Sequence, residues 1–395
     1  MRSPLNREVP LPTPGEFPAL NFGPISIDPP VVLAPMAGVT NAPFRTLCRR
    51  FSSGRCLYVS EMITARSFVT GHEHTQKLAS FGSEETLKSI QLYGTHPGSL
   101  GEAARILSQE WGVDHIDMNF GCPVRKVTAA GGGSAIPARP KLLARLVRSV
   151  VERAGDVPVT IKFRKGIQPG VETFLDAGRV AVEEGCKAVA LHGRYASELY
   201  HGEADWNSIA ELKAAVTSIP VLGNGDVFEA FDALRLMRET GCDGVVVGRG
   251  CLGRPWLFRE LVEVFDGQEP SLPPNLGEIR DIVLQHADLL IDFFGERVAM
   301  NQIRKFTGWY LKSFPGVRSH LDGLHRVSSR EDLAAKLSSL DGEVPFPEGA
   351  LRVRRGKGGR TQTVALPPGY LDDRDTDQPP KHDPADAELG SMSGG

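Results

Sequence analysis

From about residue 31 to 266, short apolar runs alternate with segments of helical spacing, and this alternation constrains the fold more than any other feature. The runs are Val31–Pro35, Leu57–Ser60, Ser89–Tyr93, His115–Asn119, Val159–Phe163, Ala188–His192, Pro220–Asn224 and Gly244–Gly248. Helix-type spacing follows most of them, as in Lys141–Ala154, Thr173–Glu184 and Phe228–Thr240. Largely apolar strands that alternate with helices are expected to be parallel and covered on both sides. Eight such units over about 235 residues match an α/β fold of the (β/α)8, or TIM-barrel, type. A doubly wound sheet is the alternative.

After Asp266 the pattern changes. Gly267–Gly277 holds Pro270, Pro273 and Pro274 and reads as a linker, and residues 278–340 then read as mainly helical. Ile282, Leu284, His286, Leu289, Ile291 and Phe294 supply apolar surface there, and a second helix is expected from about Ala299 to Phe314. Between Arg297 and Arg330 stand seven Lys/Arg and one acid, Asp322. Beyond Pro345 a basic run (Arg352, Arg354, Arg355, Lys357, Arg360) precedes an acidic, Pro-rich end, a composition that predicts weak structure. The expected organisation is an N-terminal extension over 1–23, a barrel over 24–268, an all-helical domain over 269–345 and a disordered tail over 346–395.

A formal net charge of -3 gives no global nucleic-acid footprint, so any RNA surface has to be a local patch. The six cysteines (48, 56, 122, 186, 242 and 251) form no C-x-x-C pair, which argues against both a structural zinc site and a disulfide framework. His72-Glu73-His74 reads as a solvated helix start, so no metal is expected. The Pro-rich N-terminus has no apolar signal core, and no run of 18 apolar residues occurs. The expectation is a cytoplasmic monomer without membrane contact.

In barrel enzymes the working residues sit at the C-terminal ends of the strands. Those ends here carry Pro35-Met36-Ala37, Glu61, Gln91, Asn119 with Cys122, Lys162 with Arg164, His192 with Arg194, Asn224-Gly225-Asp226 and Gly248-Arg249. A core strand needs no Lys or His at its terminus. The last two ends precede helices, and glycine-freed N–H groups, a helix N-terminus and one Arg together make an anion site. Gly248–Gly253 also spells G-x-G-x-x-G, but it follows the last strand of the series, so it is a weak dinucleotide signal. Lys162, taken alone, reads equally well as a lysine reaching for water. Beside a phosphate site it is better placed to stabilise negative charge on a reduced flavin. Gln91 could bond the pyrimidine edge of such a ring or simply face water.

Cys48, Cys186 and Cys242 look like small core residues. Cys122 differs, lying between Gly121 and Pro123 just past a strand end. A reductase that delivers hydride to one carbon needs an acid to protonate the other, and a thiol with an undepressed pKa suits that task. Val127–Ser134, with Gly131-Gly132-Gly133, reads as a mobile lid over the substrate.

At this point the motifs resemble those of the tRNA-dihydrouridine synthases. They are Ala34–Arg45 (A-P-M-A-G-V-T-N-A-P-F-R), Asn119–Lys126 (N-F-G-C-P-V-R-K), Lys162-Phe163-Arg164, His192-Gly193-Arg194, Tyr200 to Trp206 and Asn224-Gly225-Asp226. The likeness covers roughly residues 24–340 and is greatest to the bacterial B-type branch; Asn-x-Gly-Cys-Pro-x-x-Lys is its most specific element. The resemblance implies FMN held by Pro35, Met36, Ala37, Gln91, Lys162, Asn224, Gly225, Asp226, Gly248 and Arg249, with His192 near its phosphate side. It implies hydride from flavin N5 to uracil C6, a proton from Cys122 to C5, and NADPH or NADH as reductant. Asn119, Lys126, Arg164 and Arg194 are candidates to contact the uridine or tRNA. Arg304 and Lys305 in the basic patch Arg297–Arg330, with Trp309 and Tyr310, supply expected phosphate and stacking contacts.

Two positions depart from the family pattern. Asn41 stands where Asp is usual, and Phe306 where B-type members often have His. Either residue at position 41 can cap a helix. Two other readings stay open: a flavin barrel acting on a free pyrimidine, like dihydroorotate dehydrogenases, and a non-catalytic RNA-binding protein. The first gives no reason for a basic helical appendage, and the second predicts decay at the strand ends.

Overall fold

In the computed structural model, which describes residues 1–356 and 360–380, the eight predicted runs become eight strands of one closed parallel barrel. They are β1 (Val31–Leu33), β2 (Leu57–Thr64), β3 (Ser89–Tyr93), β4 (His115–Phe120), β5 (Val159–Gly166), β6 (Ala188–Tyr195), β7 (Val221–Asn224) and β8 (Gly244–Val247). Closure comes from β8 pairing with β1, Val245 to Val31 and Val247 to Leu33.

Alternation along each strand sorts side chains into two cores. Leu33, Ile90, Ile116, Ile161, Leu191 and Val247 face the surrounding helices and join the large apolar cluster. Val32, Val59, Ala190, Leu222 and Val246 face inward as a smaller one. Burying each large aliphatic side chain contributes roughly 1.5–3 kcal/mol. An antiparallel hairpin, Leu20–Phe22 with Ile25–Ile27, closes the N-terminal end by inserting Leu20, Phe22, Ile25 and Ile27 into that inner cluster. The boundary expected at residue 23 therefore falls inside an element. On the middle strands the inward positions are already polar at Ser89, His115 and Thr160, and one step higher Gln91, Asp117, Lys162 and Asn224 continue that polar lining.

The helical domain runs through Leu276–Phe294, Glu296–Tyr310, Arg318–Leu324 and Arg330–Ser338, its first helix opened by an Asn275–Glu278 capping box. Phe306 is fully buried, stacked on Phe44 of the barrel (5.9 Å) and edge-on to His286 (4.5 Å). An aromatic at this position therefore serves domain docking. Asn41 caps helix Ala42–Phe51, its side chain accepting from the Phe44 N–H at 3.2 Å.

The disordered tail expected after Pro345 is corrected over the described residues. Phe346, Ala350, Leu351 and Tyr370 are buried. Arg352 bonds Glu229 (2.7 Å) and Asp232 (2.8 Å), and Arg355 donates to the carbonyls of Trp309 and Ala350. Composition missed this because the contacts are long-range and leave no periodicity. Lys357 and residues 381–395 lie outside the described residues.

Candidate active site

The C-terminal ends of the strands surround a cavity of about 880 Å³. All of the expected flavin residues line it: Pro35, Met36, Ala37, Gln91, Lys162, His192, Asn224, Gly225, Asp226, Gly248 and Arg249.

One corner is built for an anion. After β7, Gly225 (φ 134°) and Asp226 (φ 57°) turn the chain, and a Cβ on Gly225 would fall 2.5 Å from that of Ala204. Asp226 is held in its left-handed conformation by the neighbouring loop. Arg194 donates to its two carboxylate oxygens at 2.8 and 2.7 Å, and the Ala204 N–H donates at 2.6 Å. Arg249 lies over the Tyr200 ring, 4.4 Å from its centroid, and its buried Nη1 has no partner among the described residues. Burial, with Arg194 nearby, pushes Arg249 down to about 10, so it stays cationic at neutral pH. Among the described residues, the backbone N–H groups of Gly225, Asp226, Gly248 and Arg249 donate no hydrogen bond. Burial and the cations Arg164, Lys162, Arg194 and Arg249 hold His192 far below its usual range, so it is neutral.

The floor is a hydrogen-bonded amide relay. Asp117 on β4 accepts from Gln91 Nε2 (2.6 Å) and from Thr160 Oγ1 (2.6 Å), which fixes the Gln91 amide. Gln91 Oε1 then accepts from Asn119 Nδ2 at 2.8 Å. Asn119 Oδ1 accepts from the N–H groups of Gly121 (3.1 Å) and Cys122 (2.9 Å). The strand-end Asn thus sets the turn that presents the cysteine. Burial raises Asp117 to about 6. Burial, with Arg164 adding to it and Asp117 opposing, pushes Lys162 down to about 7.

Cys122 lines the cavity and is half-buried, whereas the other five cysteines are buried. Its carbonyl accepts from the Ser134 N–H at 3.1 Å. Gly133 (φ 54°) packs so close that a Cβ there would lie 2.5 Å from the Cys122 oxygen. In this structure the segment Val127–Ser134, expected as a lid, lies packed against the cysteine turn. Its glycines are buried and serve tight packing around the cysteine turn.

The match to the model of the dihydrouridine synthase (Dus) family spans residues 32–341. The chain belongs to the dihydrouridine synthase family. A probable tRNA-dihydrouridine synthase of Mycobacterium tuberculosis (strain CDC 1551 / Oshkosh) is 50% identical over 365 residues, 91% of this chain and 94% of that protein. The tRNA-dihydrouridine synthase B of Xanthomonas axonopodis pv. citri (strain 306) is 40% identical over 300 residues, 75% of this chain and 88% of that protein. That of Pseudomonas aeruginosa (strain ATCC 15692 / DSM 22644 / CIP 104116 / JCM 14847 / LMG 12228 / 1C / PRS 101 / PAO1) is 36% identical over 324 residues, 82% of this chain and 96% of that protein.

Not every expected substrate residue reaches the cavity of this dihydrouridine synthase. Asn119, Arg164, Arg194 and Lys305 line it. Arg164 and Arg194, however, are buried and spend their donors on protein groups. Arg164 binds the carbonyls of Gly121 (2.9 Å), Tyr195 (3.0 Å) and Leu199 (2.9 Å); Arg194 binds those of His201 and Gly202 as well as Asp226. Both hold loops together. Lys126 is exposed on the short helix Arg125–Thr128 and does not line the cavity, whereas its neighbour Arg125 does. Arg304 donates twice to the Val327 carbonyl (3.0 and 2.8 Å) inside the helical domain, while Lys305 reaches across to the Gly38 carbonyl. Asp117 and Gln362 were missed, and Tyr200 and Arg360, named only in a motif and a basic run, were given no place at the site. Asp117 was open to detection, since it alternates with His115 and Asn119 on the inward face of β4.

Proposed function

We propose that this protein reduces a uridine of tRNA to 5,6-dihydrouridine, with FMN as bound cofactor, NADPH or NADH as reductant and Cys122 as proton donor. The observation that carries this reading is the placing of the one incompletely buried cysteine in the same cavity as an anion corner whose Arg249 Nη1 lacks a partner.

That donor set fits a flavin mononucleotide. Gly225, Asp226, Gly248 and Arg249 would hold its phosphate, Pro35, Met36 and Ala37 would flank the ring, and Gln91 and Lys162 would meet its polar edge. Bound FMN supplies the hydride for C6 of uracil. Cys122 delivers the proton to C5, so the two hydrogens add across the C5–C6 double bond and the thiolate is reprotonated from solvent. Asn119 keeps the thiol on station through the Cys122 N–H. A uridine must leave its stack to reach this depth. Lys305, Trp309 and Arg125, which also line the cavity, supply cationic and stacking contacts for RNA that a free pyrimidine would not need.

Three measurements bear on this. The purified protein should be yellow and release FMN on acid treatment, and tRNA from a strain lacking the gene should lose dihydrouridine at one position. A colourless protein that cannot be reconstituted, or unchanged tRNA, would sink the reading. The third concerns Lys162, which is held near 7 and is therefore mostly neutral at pH 8. Electron-rich ligand atoms placed against it raise its pKa above the working pH, so FMN binding at pH 8 takes up a proton. At pH 6 Lys162 is already charged, so its share of the uptake vanishes. Calorimetric titrations in two buffers of different ionisation enthalpy read this directly, and equal heats at pH 8 would remove Lys162 from the ring's edge.

A further inference from the structure

We propose that residues 360–371 form a strap that walls the substrate cavity and holds the Cys122 turn, with Gln362 as a positioning residue and Arg360 as a further contact for the RNA backbone. This rests on the function proposed above. The match to the family model ends at residue 341, so the strap lies outside it.

Arg360, Thr361 and Gln362 line the same cavity as Cys122. Gln362 ties together the loops that follow β4 and β6. Its Nε2 donates to the carbonyls of Pro123 (2.8 Å) and Ala196 (3.1 Å), and its backbone N–H donates to Ser197 (2.7 Å). Pro123 directly follows the proposed acid. Arg164 joins the same two loops through Gly121, Tyr195 and Leu199, so the turn carries two cross-ties, one from a barrel strand and one from the strap.

The strap is itself anchored at its far end. Tyr370 is buried against Ala135, Ala138 and Ile167, its hydroxyl donates to the Gly131 carbonyl at 3.1 Å, and Arg139 lies 3.8 Å from its ring centroid. Contacts to Pro123 and Gly131 therefore bracket the segment that turns around Cys122. Arg360 is exposed at the rim, on the side where a polyanion would enter.

The test uses full-length protein carrying Gln362→Ala or Arg360→Glu. Because the other cysteines are buried, iodoacetamide labelling followed by mass spectrometry reports on Cys122. In Gln362→Ala, loss of both side-chain hydrogen bonds should speed this labelling by about tenfold. Turnover of tRNA should fall more than flavin reduction by NAD(P)H does. Arg360→Glu should raise KM for tRNA more than it lowers kcat, and by less at high salt. Unchanged labelling and kinetics would overturn the proposal. So would equal losses in flavin reduction and tRNA turnover, which mark a purely structural role. If the unmodified protein makes no dihydrouridine, the proposed function fails, while the labelling comparison still decides whether the strap holds the turn.

Discussion

Cys122→Ala is expected to keep its flavin and the reduction of that flavin by NAD(P)H, yet to lose dihydrouridine formation by about 10²–10⁴-fold, the range spanned by a positioned general acid. The turn should survive the change, because Asn119 Oδ1 and the Ser134 N–H hold backbone atoms of Cys122 and not its sulfur. Thermal stability should therefore barely move, which separates a missing acid from a collapsed loop. Cys122→Ser keeps a donor but a much weaker acid, so it should also be slow. Single-turnover mixing of reduced enzyme with unmodified tRNA measures the step. A wild-type rate in the alanine variant would remove Cys122 as donor.

The barrel was legible because its signal is local and repeated. Each of the eight predicted apolar runs overlaps an observed strand, and Ser89–Tyr93 matches at both ends. The inward lining of the cavity was legible for a related reason, since strand ends in a closed parallel barrel converge on one mouth. Direction around a helix or a loop was not. Arg304 and Lys305 are adjacent, but a step of about 100° turns one into the helical domain and the other toward the cavity. Arg164 and Arg194 were candidate RNA contacts through the family resemblance of their motifs. Their donors are instead taken by loop carbonyls, which only the folded loops reveal. The strap was illegible for a third reason. Gln362 and Tyr370 find their partners more than 160 residues away in a segment of disordered composition.

The same distinction between resemblance and role applies to Arg45, the last residue of the motif Ala34–Arg45. A motif arginine beside an anion-binding cavity invites a ligand role, but Arg45 is fully buried against Glu85, with both side chains at 0% exposure. Its Nε and Nη2 donate to the two Glu85 oxygens at 2.7 and 2.8 Å. The remaining donors reach the carbonyls of Thr40 (2.8 Å) and Ser80 (3.1 Å). Arg45 thereby ties the turn that follows β1 to the segment before β3. Glu85→Gln leaves a guanidinium buried without its counter-charge, and breaking such a pair costs about 3–5 kcal/mol. The expected result is a clear drop in the urea midpoint for Glu85→Gln. Arg45→Met with Glu85→Leu should be less destabilised than Glu85→Gln alone, because no uncompensated charge stays buried. Whatever protein remains folded should bind FMN as tightly as before. A Glu85→Gln variant as stable as the parent would show that the pair is not what holds this turn, and weakened FMN binding in folded protein would give Arg45 a part in the cofactor site.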